Sequence, residues 1–312
     1  MKALCVSLTI ASVLVAQPVR PRILGISHVA ISVSDLDKAR AYYEGFLGFA
    51  EPFDLKNADG AVTLAFVKVN DYQYIEVSPG LKPGDDRLKH VAFYTDDAEK
   101  MREYLKSRGV TVPDSVKKGR SGTLNFNITD PDGHTLEFVQ YLPDSWAMQN
   151  KGQALPASRV SDHMGHAGIL VGNAAAAVKF YGDVLGFQET YRGSSNGKVL
   201  SWIYMRVPDG EDYLEFMLYK DLPAPDKRGG AHHICLMLPN VTETLHSLQE
   251  KPYAKTYNRP MDIVDGVNRK RHLSLFDPDG TRTELMEPVT IDGKPAVPST
   301  APPPNNAIGG VQ

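Results

Sequence analysis

The sequence predicts an α+β fold made of four copies of one module, a strand, a helix and about three further strands, arranged as two similar halves. Three observations predict it. The stretch Ile26–Val33, the helix-spaced Ala39, Tyr42 and Tyr43, and Leu47-Gly48-Phe49 recur as Met164–Val171, Ala177, Phe180, Tyr181 and Leu185-Gly186-Phe187. Repetition over such a length marks a duplicated structural unit. Within each half a second β-patterned run follows, Lys89–Phe93 and His232–Leu236, each leading into a helix-patterned segment, Asp97–Ser107 and Val241–Gln249. Both later units then close on the phrase Asp-Pro-Asp-Gly, at 130–133 and 277–280. There Pro presets φ and Gly accepts a positive φ, which makes a tight turn between strands.

Taken in order, the chain opens with Lys2 and an apolar run from Ala3 to Ala16, ended by Gln17-Pro18. That order is expected of a secretory signal peptide, and the run is shorter than the roughly 20 residues a membrane-spanning helix needs. Residues 1–22 are therefore predicted as signal peptide and lead-in, with a secreted or periplasmic mature protein free of the membrane. Cys5 would leave with the signal, so Cys235 is predicted to be a free thiol without a disulfide partner. The modules fall near 24–82, 87–143, 161–222 and 228–288, which divides the chain into a first domain (23–143), a linker (144–160) and a second domain (161–288). The connections inside each half are short, about four residues near Gly84 and about five near Pro225, so modules are expected to pair within halves. The alternative joins the first module to the fourth and the second to the third. Residues 289–312, rich in Pro, Gly and Asn, are predicted to be a disordered or loosely attached tail. The sequons at Asn127 and Asn240 are read as strand and turn polar residues.

Over 312 residues, 42% are apolar and 23% charged, with a net charge of -3, the composition of a globular protein. No long Lys/Arg block supplies the footprint that nucleic acid requires. A homo-oligomer is compatible with this composition.

Chemistry is carried by one His and one Glu in each module. His28, His90, His166 and His233 sit at equivalent places in the first strands, and Glu76, Glu137, Glu215 and Glu284 in the last, 48, 47, 49 and 51 residues apart. Alternation along a strand puts Ala30 and Ser32 on the His28 face and Val29, Ile31 and Val33 on the opposite, apolar face. The other histidines have Ala92, Gly168 and Cys235 as same-face neighbours, all small. A Glu in an apolar strand is costly to bury without a partner. A divalent metal removes that cost, and imidazole with carboxylate suits Fe, Mn, Co, Ni or Zn. A lone strand histidine would be core; four in-phase His/Glu pairs point to ligation.

The strand His, the aromatic-Tyr pair before Leu-Gly-Phe, the Asp-Pro-Asp-Gly turn and the strand Glu resemble the vicinal oxygen chelate superfamily, which includes glyoxalase I, bleomycin-resistance proteins and extradiol dioxygenases. The resemblance spans residues 24–288. It implies paired βαβββ modules curled into cups with metal on the floor, and chelation of two adjacent oxygens of a small-molecule substrate. In glyoxalase-like members four ligands hold the metal and a Glu takes the proton, which carries over to His28, Glu76, His90 and Glu137, and to His166, Glu215, His233 and Glu284. All four glutamates are thus also candidate catalytic groups of a lyase or isomerase. An extradiol dioxygenase would use a His/His/Glu triad of His166, His233 and Glu284, with His272 as acid/base; Ser274 and Phe276 stand where that family has a Tyr. A non-catalytic binder of the same fold is the third reading. His134, His163, His232 and His246 are expected to be structural or solvated, and Tyr43 and Tyr181 to be core.

Overall fold

The computed structural model describes residues 18–304, so the predicted signal segment before Pro18 and the end of the tail lie outside the described residues. The first half comprises β1 (Ile23–Val33), α1 (Leu36–Arg40), β2 (Ala50–Lys56), β3 (Val62–Lys68), β4 (Tyr74–Pro79), β5 (Leu88–Thr95), α2 (Ala98–Ser107), β6 (Lys117–Lys118), β7 (Leu124–Thr129) and β8 (Thr135–Gln140). A short α3 (Trp146–Gln149) lies in the linker. The second half repeats the order with β9 (His163–Val171), α4 (Ala174–Lys179), β10 (Gln188–Gly193), β11 (Trp202–Arg206), β12 (Tyr213–Leu218), β13 (His233–Met237), α5 (Val241–Gln249), β14 (Ile263–Asp265), β15 (Lys270–Phe276) and β16 (Arg282–Thr290).

Each module helix starts the same way. Asp35, Asp97, Asn173 and Asn240 accept a hydrogen bond from the backbone N–H three residues on, which satisfies an otherwise orphaned donor. Asn240 of the sequon is thus a helix cap. α1 and α4 run on into π-helical turns, Ala41–Phe46 and Phe180–Val184. The chain then reverses at Gly48 and Gly186, both at φ 81°. A Cβ on Gly48 would stand 2.3 Å from the Ser158 carbonyl oxygen, so only glycine fits there.

Two curled eight-stranded sheets result, in the orders β2-β3-β4-β1-β5-β8-β7-β6 and β10-β11-β12-β9-β13-β16-β15-β14. Modules therefore pair within halves, through antiparallel β1/β5 and β9/β13. The helix side is different. Phe46 stacks on Tyr253 at 4.9 Å between ring centres, Phe93 meets Phe187 at 5.3 Å, and the Tyr104 hydroxyl donates to the Val184 carbonyl. Sheets thus join module one to two and three to four, whereas the helix-side core joins one to four and two to three. One continuous apolar core runs through both halves.

The Asp-Pro-Asp-Gly turns lock this seam as well as making hairpins. Asp130 accepts from the Tyr181 hydroxyl at 2.9 Å and Asp277 from that of Tyr43 at 3.2 Å, each across to the other half. Asp132 accepts from Gly172 N and Asp279 from Ser34 N, again in matching fashion. Tyr43 and Tyr181 are core residues, as expected, with an added polar contact. His163 and His232 pair with Asp212 and Asp86 in the same seam, His134 with Asp130, and His246 is exposed.

The expectation of a loose tail from 289 is corrected for residues 289–304. β16 continues to Thr290, Ser299 N donates to the Arg192 carbonyl, Leu200 N donates to the Pro302 carbonyl, and Ala301 packs on the core. Composition argued for disorder, but β10 and β11 offer backbone partners that an isolated Pro-rich segment lacks.

Candidate metal centres

In the first sheet the central order β4-β1-β5-β8 sets the predicted residues in one row. Ala30 lies opposite both Glu76 and His90, and Ala92 opposite both His28 and Glu137. Each alanine leaves the space into which a neighbouring imidazole leans. His28 Nε2 is 2.8 Å from His90 Nε2 and 3.0 Å from Glu137 Oε2, and His90 Nε2 is 3.1 Å from the same oxygen. Glu76 stands farther back, 3.6 Å from His28 and 3.9 Å from His90. Donors of His28, His90 and Glu137 all lie within 4.8 Å of one another. Such convergence of imidazole nitrogens and a carboxylate oxygen suits a divalent metal.

The two carboxylates are in unequal electrostatic settings. Burial opposes ionisation of Glu137, but hydrogen bonds from His28 and His90 outweigh it and hold the carboxyl at about 2. Burial dominates at Glu76 and raises its pKa. His28 is itself raised, because Glu76 and Glu137 together overcome its desolvation. Its Nδ1 is 3.3 Å from the Ser27 hydroxyl, which bonds the Tyr141 hydroxyl at 2.7 Å, so the ring is oriented from behind.

His28 and Glu76 also line a cavity walled by Phe53, Phe66, Tyr74 and Tyr141. Its volume is about 30 Å³, room for one or so waters. Ala147 of α3 is part of its lining, with Trp146 against Phe53 at 5.5 Å. The fully buried Lys68 ammonium pins this segment by donating to the carbonyls of Asn150 (2.6 Å) and Gln153 (2.8 Å) and pairing with Asp71. Sequence reasoning assigned 144–160 to a linker and missed that it walls the cavity; the aromatic Trp146 amid polar residues was the available signal.

The second half brings together His166, Glu215, His233 and Glu284, all four with donors within 4.8 Å of one another and all buried. His166 and His233 Nε2 are 3.0 Å apart; Glu215 lies 3.3 and 3.0 Å from them and Glu284 3.2 and 3.6 Å. Both carboxylates are pushed down. At Glu284 burial is opposed by the Arg282 charge and hydrogen bonds from both histidines, and at Glu215 by hydrogen bonds from both histidines. His233 Nδ1 faces the Ala231 carbonyl at 2.8 Å, which directs Nε2 to the centre. The room expected beside Gly168 is taken by that ring: a Cβ there would stand 1.9 Å from His233 Nδ1. The rings of Tyr213 and Tyr204 lie on His166 at 4.5 and 6.3 Å. Cys235, directly opposite His166, is a free thiol that burial pushes up to about 11, so it stays protonated. His272 is 3.9 Å from Glu284 at the edge of the cluster, and Ser274 is opposite Glu284 where a Tyr would be needed for the extradiol pattern.

The profile of the Glyoxalase/Bleomycin resistance protein/Dioxygenase superfamily matches residues 25–138 and 163–285. The chain belongs to this superfamily and carries two of its domains. A lactoylglutathione lyase of Haemophilus influenzae is 29% identical over 124 residues, 37% of this chain and 91% of the relative. Among solved structures, a Mn(II)-bound glyoxalase from Novosphingobium aromaticivorans superposes with TM-score 0.66 at 18% identity, covering 91% of this chain and 88% of the other. The 2,3-dioxygenase LapB from Pseudomonas sp. KL28 gives 0.64 at 18% identity, covering 89% and 97%. At that identity the structural likenesses establish the fold.

Proposed function

We propose that this protein is a metal-dependent lyase or isomerase acting on a small substrate with vicinal oxygens, and that the first-half centre carries the reaction. The observation that carries this reading is the inequality of its carboxylates: Glu137 touches both imidazoles, while Glu76 stands 3.6 Å and more away and faces the aromatic cavity. His28, His90 and Glu137 would hold the metal, which when bound supplies Lewis-acid stabilisation of charge developing on substrate oxygen. Glu76 is then free to take and return a proton from carbon, at a cavity walled by aromatic rings. The likeness to a lactoylglutathione lyase supports this class.

Glu76→Gln tests the assignment. The variant should retain the metal while substrate-carbon proton exchange, followed by NMR in deuterated water, falls by about 10²- to 10⁴-fold. Metal loss with Glu76→Gln would instead make Glu76 a ligand, and undiminished exchange would sink the assignment.

One observation favours a second reading. The three converging donors of the first half are a His/His/Glu set, the facial arrangement of non-haem Fe(II) oxygenases. Oxygen uptake with catechols by Fe(II)-loaded protein would establish it and displace the proton-transfer reading. Export, proposed from residues 1–22, is checked by mass spectrometry of native material: a chain beginning near Gln17 supports it, and an intact Met1 overturns it.

A further inference from the structure

The two centres share their four ligand types but differ in the residue that stands two places before the last glutamate. On β16, two residues before Glu284 and on the same face, stands Arg282; the matching place on β8, two residues before Glu137, holds Thr135. One guanidinium nitrogen of Arg282 lies 2.8 Å from Nδ1 and 2.9 Å from Nε2 of His233, which places it over the ring beside the nitrogen that faces the cluster. Among the described residues no carboxylate lies within ion-pair distance of Arg282, and its Nε is buried without a partner. Its charge acts on the cluster, above all on Glu284.

This changes the charge balance of the centre. Glu215 and Glu284 together would match one divalent cation, and Arg282 adds a positive charge beside the ring of His233, one of the residues that would hold it. The cluster is buried and Arg282 half-buried, so this like charge is screened less than a surface one and opposes metal entry. The first-half centre has a neutral threonine at that place; its neighbouring cation is Lys89, which acts on the set-back Glu76 and reaches the Ser78 hydroxyl rather than a ligand ring.

We propose that Arg282 is a built-in cation that weakens the second-half centre as a metal site, so that the chain carries one tight site, in the first half, and one weak one. The second cluster then serves mainly as a self-neutralised salt-bridge network inside the second half. This rests on the reading of the first-half centre as a metal site.

The test is titration of metal-free full-length protein with Mn(II), followed by calorimetry and by native mass spectrometry for stoichiometry. The unmodified chain should show one tight equivalent and a second weaker by roughly 10- to 100-fold, the usual size of an outer-shell effect. Arg282→Met should bring the second equivalent up to the first, and Arg282→Lys, which keeps the charge, should leave it weak. Thr135→Arg should weaken the first-half equivalent, an effect that does not depend on the Arg282 variants folding. Two equal equivalents in the unmodified chain, or a second one still weak in folded Arg282→Met, overturns the proposal about Arg282 alone. No metal bound by any of these proteins overturns the metal reading beneath it as well.

Discussion

The first-half and second-half centres are built from the same residues in the same register, yet they are in different states. In the first, one glutamate is in contact with both histidines and the other is set back against an aromatic cavity. In the second, both glutamates come within 3.3 Å of a histidine, Glu215 at 3.3 and 3.0 Å from the pair and Glu284 at 3.2 and 3.6 Å, tyrosine rings cover His166, and an arginine leans on His233. Duplication supplied two equal frames, and a few neighbours decide what each can do. Phe53, Phe66 and Thr135 of the first half stand where Tyr191, Tyr204 and Arg282 stand in the second, on matching strand positions. A retained ligand set is therefore not evidence of retained activity.

The largest effects should come from the glutamates that differ. Glu76→Gln should cost two to four powers of ten in proton exchange with metal retained, as argued above, whereas Glu215→Gln should register on the weak metal equivalent. If Glu215→Gln, assayed by the same NMR exchange, produced the larger loss, the roles of the halves would be reversed.

Next in size is the lysine that pins α3. Lys68 and Arg206 occupy equivalent places, opposite Tyr74 and Tyr213, but Lys68 is buried and bonded to the linker while Arg206 reaches Gln188 and Glu211 at the surface. Lys68→Met removes the ammonium from the Asn150 and Gln153 carbonyls and from Asp71 and should cost about 3 kcal/mol in chemical denaturation. Arg206→Met should cost within about 0.5 kcal/mol. Equal losses would mean that the two halves are closed in the same way.

A comparable effect, dependent on pH, sits in the seam. Burial raises Asp277 to about 6 from its ordinary 3.8, with no histidine at Thr281 to offset it. Asp130, whose burial is outweighed by its hydrogen bond from His134, is lowered. For Asp277 the folded pKa exceeds the unfolded one, so ionisation destabilises the fold: the penalty is absent below about pH 4, grows towards pH 6 and levels off at about 3 kcal/mol above it. For Asp130 the sign is opposite: its contribution is present above the unfolded pKa and is lost as pH falls through the depressed folded value. Asp277→Asn should thus stabilise the protein at pH 7 to 8 and lose that advantage near pH 4. A pH-independent difference in denaturation midpoint would remove the asymmetry of the two turns.

Much of this was legible in the residues. Strand alternation placed His28, Ala30, Glu76 and their counterparts on one face, and the short links inside each half selected the sheet pairing that is observed. The Asp-Pro-Asp-Gly turns were readable as hairpins, but not as seam contacts, because the partners Tyr181 and Tyr43 lie 51 and 234 residues away. The same limit hid the linker's place over the cavity and the docking of residues 289–304, since both depend on surfaces formed by distant strands.

By itself the sequence determined the four modules, their strand and helix order, and the eight His and Glu side chains that share a face, because these follow from local periodicity, caps and turns. Tertiary structure alone decided that the helix-side core pairs modules across halves, that Glu76 is set back while Glu215 is not, and that Arg282 rather than solvent borders His233. Those outcomes turn on ångström-scale packing between residues remote in the chain, where a single neighbour such as threonine or arginine alters charge and space without altering the pattern that builds the strand.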